Sequence, residues 1–182
     1  PEGEAPHWPH FSYLRWASSA SHNYGRPVTS SETWTWAHPP MFRATPLDLK
    51  AIADMHFLEG VNQIIGHGWP YSPPEAGTPG WTFYATVALD RRNPWWPVMP
   101  DLTRYLARVS LMLRQGQPAS DIALYAPTDD AWALEHSIWA EQKPLEIALP
   151  AYIAARLGSK LIPGLLEAGY NFDLADDTVI QK

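Results

Sequence analysis

Apolar residues recur at helical spacing along some stretches of the chain and crowd into short β-prone runs along others. Phe11, Leu14, Ala17 and Ala20 repeat every three residues and predict a helix over 11–24, with Gly25 as its left-handed stop. Ahead of it, Pro6 and Pro9 make 1–10 an irregular lead-in. Val28 to Ser31 is a short β-prone run, so helix, glycine turn and strand form one αβ step. Thr45 is placed to cap a second helix, with Pro46 at its first position and Asp48 three residues past the cap, a capping-box variant. Leu47, Ala51, Met55 and Leu58 supply the buried stripe of that helix and Gly60 ends it. Val61 to His67, centred on Ile64 and Ile65, reads as a second strand. The order α, β, long loop, α, β favours a parallel sheet wrapped by helices.

Gly68 to Pro100 follows, rich in Pro, Gly and aromatic residues and too long for a plain connector, and loops of that size in compact domains are usually functional. Asp101 starts the clearest helix, over 101–115, with Leu102, Tyr105, Leu106, Val109, Met112 and Leu113 on one face and Gly116 closing it. Asp121 to Tyr125 is a third strand. Beyond Pro127, Trp132 and Trp139 read as core aromatics of a weakly helical segment, and 145–157 is helix-prone but broken near Pro150. A short helix over 161–168 is stopped by Gly169, and Tyr170 to Leu174 is a fourth strand. Asp121 to Leu174 therefore opens a second, doubly wound α/β module.

Composition narrows the function classes. The 182 residues are 46% hydrophobic, enough for one sizeable core, and no apolar run approaches the roughly 20 residues of a membrane-spanning helix. A formal charge of −6 argues against nucleic acid, whose phosphates are bound by clustered Lys and Arg. Zero cysteines exclude disulfides and thiolate metal sites. No signal-peptide pattern stands at Pro1, so an exported protein would carry its signal outside this sequence. Of the 10 tryptophans, Trp34, Trp36, Trp69, Trp81, Trp95 and Trp96 fall in Pro- and Gly-punctuated stretches. Flat rings in loops suit the apolar faces of sugars.

The candidate chemistry gathers at the ends of the first two strands. Glu32 follows the run Val28 to Ser31 and opens into Thr33-Trp34-Thr35-Trp36, and it reads as the residue that does chemistry, the alternative being an exposed loop glutamate. His67 ends the second strand and reads either as a hydrogen-bond partner for a sugar hydroxyl or the glutamate, or as a satisfied, partly buried histidine. Trp34, Trp36, Trp69, Tyr71, Trp95 and Trp96 are candidate subsite walls, the alternative for each being packing within the long loop. Asn93 precedes Pro94 and either bonds substrate or shapes a turn. Asp129-Asp130 and Asp176-Asp177 read as helix caps or solvated turns rather than metal ligands.

A family resemblance rests on ordered blocks. Ala17-Ser18-Ser19-Ala20-Ser21-His22-Asn23-Tyr24-Gly25-Arg26-Pro27 runs into Ser31-Glu32-Thr33, then come Gly60-Val61-Asn62-Gln63-Ile64-Ile65-Gly66-His67-Gly68 and Tyr71-Ser72-Pro73. Pro79-Gly80, Asn93-Pro94-Trp95-Trp96, Tyr105-Leu106-Ala107-Arg108 and Leu113-Arg114-Gln115-Gly116 complete the series. Together they resemble bacterial α-L-rhamnosidases of glycoside hydrolase family 106.

That resemblance implies an α/β fragment: residues 1–118 as the C-terminal portion of a catalytic (β/α)8 barrel, and 119–182 as the start of a flavodoxin-like α/β domain, incomplete here. Val28 to Ser31 would be the seventh barrel strand and Val61 to His67 the eighth. It implies an inverting two-carboxylate hydrolase with Glu32 as general base and the acid on an earlier strand outside this sequence, so the isolated chain is expected to be inactive. It further implies a carbohydrate substrate, the remainder of the parent polypeptide as partner, no nucleic acid or membrane, calcium in the parent protein with no cofactor in this fragment, and a periplasmic or secreted location. A non-catalytic carbohydrate-binding module using the loop tryptophans is the alternative, and a structural domain with all its aromatics in the core is a third reading.

Overall fold

In the computed structural model, which describes residues 8–36, 42–81, 83, 85–133 and 149–182, helices and short parallel strands alternate along a mixed α/β chain. In order these are α1 (Trp8–Asn23), β1 (Ser30–Thr33), α2 (Pro46–Leu58), β2 (Gln63–Gly66), α3 (Met99–Leu113), β3 (Ile122–Tyr125), a helical turn α4 over 128–133, α5 (Leu149–Leu157), α6 (Leu161–Glu167), β4 (Phe172–Ala175) and α7 (Asp177–Ile180). They fall into two compact units, Val28–Gly116 on the one hand and Pro1–Pro27 with Gln117–Lys182 on the other. No helix among the described residues is long and apolar enough to cross a membrane.

In the unit Val28–Gly116, β1 and β2 pair in parallel, Ser30 opposite Gln63 and Thr33 opposite Gly66. The register is pinned at the start by Asn62, whose side-chain oxygen accepts from the Thr29 amide at 2.9 Å while its own amide donates to Thr29 O. The first strand therefore begins two residues later than its β-propensity suggests, and Glu32 lies within it rather than beyond its end. The two-residue period of a strand turns Ser31 and Thr33 inward and Ser30 and Glu32 outward. The inward side meets a core of Trp34, Ala44, Leu49, Ala53, Val87, Leu89 and Leu102.

The capping box of α2 forms as expected: Thr45 Oγ1 accepts from the Asp48 amide and Asp48 Oδ2 accepts from the Thr45 amide. Its buried stripe does not. Leu49 and Ala53 face the core with Ile52 and Phe57 beside them, whereas Leu47 and Leu58 are 71% and 72% exposed and Ala51 is exposed. The helix is apolar on two faces, so periodicity alone does not say which one packs. In α3 the expected face is used along the first half of the helix, where Leu102 is buried and Tyr105 and Leu106 pack against the same core, while Met112 and Leu113 are exposed.

The other unit contains β3 and β4, also parallel, with Ile122 opposite Phe172 and Tyr125 opposite Ala175. Leu124, Ala126, Ile153, Ile162, Phe172 and Leu174 form its core. Helix α1, read from the sequence as one step with β1, packs here against β4 instead, so 1–27 do not group with 28–116. Its fully buried positions are polar: Arg15, Ser18 and Ser19 are buried with Trp16 packed against the core beside them, while Ala17 and Ala20 of the expected apolar stripe are exposed. The reason lies in β4, which needs hydrogen bonds there more than apolar contact. Ser19 Oγ accepts from the Leu174 amide at 2.9 Å and Asn23 Nδ2 donates to Leu174 O at 2.9 Å, so two side chains of α1 satisfy one strand residue's backbone on both counts. Pro9 is no barrier, since proline is tolerated in the first helical turn.

Gly25 stops α1 with φ of 63° and Gly169 follows α6 with φ of 83°, both in the left-handed region that favours glycine. Asp176 caps α7, accepting from the Val179 amide. Trp132 is more than half exposed and is not a core residue. Trp139 and the segment 145–148 lie outside the described residues, and Pro150 lies within the described helix α5 (Leu149–Leu157).

Candidate active site

Glu32 is 65% exposed through its side chain and faces away from the core, on the same side as Ile65, its register partner on β2. The chain turns sharply immediately after β1. Trp34 adopts a left-handed conformation, φ 71°, which a bulky residue rarely takes. Two contacts hold it there: the indole is buried in the core, and its Nε1 donates to Leu49 O at 3.0 Å. The turn carries Thr35 back over the strand end, where its hydroxyl donates to Glu32 Oε1 at 2.6 Å and lies 3.0 Å from His67 Nδ1. His67 Nδ1 stands 3.8 Å from Glu32 Oε1, and its ring meets Phe83 edge-on at 5.3 Å between centroids. Carboxylate, hydroxyl and imidazole are thus brought together where β1 and β2 end.

The close approach of the two strand ends depends on Gly66. A Cβ there would lie 2.8 Å from both the Trp34 ring and Leu89, so only glycine lets β2 pass beside the buried indole. The two members of this arrangement that the sequence reading missed are Thr35 and Gly66; a glycine closing a β-prone run was the available signal for the latter.

The loop following β2 is organised by a charged pair that the reading also missed. Arg92 Nε and Nη2 donate to Asp90, the shortest bond being 2.6 Å, and the guanidinium also donates to Ser72 Oγ and to the carbonyls of Pro70, Pro79 and Trp81. The Arg92 hydrogen bonds hold the Asp90 carboxyl below its ordinary range, against the opposing effect of burial. Gly80 is required beneath this fork: a Cβ would come within 2.5 Å of Arg92 Nη1, and φ is 87°. The signal in the sequence was an Asp and an Arg two residues apart within a stretch dominated by Pro, Gly and aromatics.

The remaining sequence candidates separate into two groups. Trp69 and Tyr71 are 68% and 74% exposed, and Trp69 stacks edge-to-face on Trp96 at 5.3 Å, so these three lie on an accessible aromatic surface of the loop. Trp34 is in the core, Trp36 packs against it, and Trp95 does the same with its Nε1 donating to Ala44 O at 2.7 Å. Asn93 is buried, with Nδ2 donating to Ala88 O, and shapes the loop from inside. Those four are placed as scaffold rather than as open subsite walls. Among the described residues no three His, Asp or Glu side chains are grouped so that they could hold a metal ion.

Comparison with known proteins places these features. The chain is 28% identical over 119 residues to a protein named "Putative beta-glucuronidase" from Formosa agariphila, an alignment covering 65% of this chain and 10% of that protein. Its fold matches part of the solved rhamnosidase from Novosphingobium sp. PP1Y with a TM-score of 0.63 at 19% identity, over 100% of this chain and 15% of that one. The chain thus spans about a tenth to a seventh of the length of these relatives. The family described as alpha-L-rhamnosidase, glycoside hydrolase family 106, matches residues 7–152, and the chain belongs to it.

Proposed function

We propose that this chain is the part of an inverting glycoside hydrolase that supplies the general base, Glu32, and part of the sugar-binding surface, and that the parent enzyme acts on α-L-rhamnosides. The observation that carries the reading is the placement of Glu32: a carboxylate on the penultimate residue of its strand, outward-facing on a parallel pair, held by one hydroxyl and flanked by a histidine. Parallel strands that end in catalytic groups are the arrangement of a (β/α)8 barrel, and on this reading β1 and β2 are its last two strands. Residues 119–182 are then the beginning of the flavodoxin-like domain.

In the proposed reaction Glu32 takes a proton from water as it attacks the anomeric carbon, while an acid elsewhere in the parent protein protonates the leaving oxygen. Inversion requires the two carboxyl groups roughly 6.5–9.5 Å apart, leaving room for that water. Trp69, Tyr71 and Trp96 offer flat faces for a sugar ring. Without the acid the isolated chain is expected to be inactive, and the parent enzyme is placed in the periplasm or outside the cell, where polysaccharide side chains are met.

Glu32→Gln in the parent enzyme tests the reading. Turnover of an aryl α-L-rhamnoside should fall roughly 10²- to 10⁴-fold while sugar binding persists. Proton NMR of the first-formed product should show the opposite anomer to the substrate. Full turnover in the variant removes Glu32 as base; a retained anomer removes the inverting mechanism. Activity on β-glucuronides in place of rhamnosides would keep the class and replace the substrate. A non-catalytic carbohydrate-binding role is favoured by the exposed Trp69 and Tyr71 alone, and it requires that Glu32→Gln leave sugar affinity unchanged with no turnover to lose.

A further inference from the structure

We propose that Thr35 is a positioning residue that locks Glu32 and His67 into a single donor–acceptor chain, with His67 held in the tautomer that carries its proton on Nδ1. The inference rests on the reading of Glu32 as base. Its structural half stands on geometry that does not depend on that reading.

The direction of the chain follows from counting protons. An ionised carboxylate only accepts, so the 2.6 Å contact between Thr35 Oγ1 and Glu32 Oε1 uses the single hydroxyl hydrogen of Thr35. The threonine oxygen then has only lone pairs left for His67 Nδ1, 3.0 Å away, and that nitrogen must be the donor. His67 and Glu32 do not bond directly, because 3.8 Å exceeds hydrogen-bond range, so the hydroxyl is the link. The sequence Nδ1–H to Oγ1–H to Oε1 is one in which each bond polarises the next. It leaves Nε2 as the acceptor of the ring, available to a sugar hydroxyl, and it orients the Glu32 carboxylate.

The backbone is organised to place Thr35 there. The left-handed turn at Trp34 is what returns residue 35 over residue 32, and it is held by the buried indole and its bond to Leu49 O. Trp34 therefore contributes to the site through Thr35 and not by stacking on sugar.

The test combines spectroscopy with kinetics. In 15N-histidine-labelled protein well above the imidazole titration range, long-range proton–nitrogen correlation should show His67 protonated on Nδ1, its signals assigned by their loss in His67→Gln. Thr35→Val should release the ring to the Nε2–H form, and Thr35→Ser should keep it. An Nε2–H ring in the unaltered protein, or one that ignores Thr35→Val while the melting curve is unchanged, overturns the proposal. In the parent enzyme Thr35→Val should lower kcat by roughly 10- to 100-fold with little change in KM, and Thr35→Ser should restore most of it. The two readings fail separately: a tautomer that follows Thr35 while Glu32→Gln is silent removes the catalytic reading and keeps the relay, whereas a tautomer indifferent to Thr35 removes the relay whatever Glu32→Gln does.

Discussion

Glu32 on β1 and Asp173 on β4 are both strand carboxylates with a histidine alongside, one in each unit of the chain. Asp173 is buried and meets His22 Nδ1 directly at 2.9 Å. Burial is the largest single effect and would raise its pKa, but the hydrogen bond and charge of His22 together with further hydrogen bonds to the carboxylate outweigh it, and the group stays below the usual carboxylate range. Glu32 is largely exposed, and the hydroxyl of Thr35 stands between it and His67. A buried carboxylate bonded directly to its partner serves the fold, because its lone pairs are committed and its removal orphans a neighbour. An exposed carboxylate held through one hydroxyl keeps an oxygen for water or substrate. Neither the residue type nor the strand position separates the two; what separates them is which face of the sheet has something packed on it.

The largest contrast is expected when each carboxylate is replaced by its amide. Glu32→Gln should remove most turnover from the parent enzyme and leave the melting temperature within a degree or two, since surface substitutions usually stay within about 0.5 kcal/mol. Asp173→Asn should do the opposite, costing about 1–2 kcal/mol of stability with turnover retained. Calorimetry and rate assays on the same two preparations decide it, and a swap of the two outcomes would break the comparison.

A second contrast concerns how each unit orders its backbone. In the unit that carries Glu32 a single guanidinium gathers four loop positions, whereas α1 satisfies β4 with short neutral side chains. Arg92→Ala leaves Asp90, only 7% exposed, with the residue-92 amide but no guanidinium, and should cost about 2–3 kcal/mol. The loss should appear as amide exchange and proteolysis of 70–92, with β3 and β4 unaffected. If 70–92 stays protected, the loop is ordered by its aromatics and not by the arginine.

What was legible in the sequence follows the same division. The order of elements, the capping box at Thr45 and the glycine stops at Gly25 and Gly169 depend on local chemistry, and they form where the pattern places them. The pairing of Glu32 with His67 was also within reach, since both sit at the ends of adjacent β-prone runs. The face of α1 was not, because its buried positions are Arg15, Ser18 and Ser19, chosen by the hydrogen-bonding needs of a strand about 150 residues away and invisible to a hydrophobic pattern. Trp34 was misplaced for a related reason: an indole next to a carboxylate looks like a sugar platform until the left-handed turn sends it inward. Thr35 carried no signal of its own.

The smallest expected difference is in how the two units respond to mild acid. His56 in the Glu32-bearing unit is largely buried, and burial lowers its pKa, with Thr33 Oγ1 3.2 Å from Nδ1. Because the folded value lies below the unfolded one of about 6.5, the unfolded chain binds more protons as the pH drops through that range. The stability contribution is whole above about pH 6.5 and is lost as the pH falls toward the folded value. Asp173, also lowered, keeps its contribution until the pH falls below about 3.8 and through its folded value. Between pH 7.5 and 5.5, then, only the first unit should loosen. Amide protection factors should decline across β1, β2 and α2 over that interval while β3 and β4 hold, and His56→Gln should flatten the decline. Equal loosening of both units, or a decline that survives His56→Gln, would assign the acid response to groups other than the buried histidine and remove the distinction.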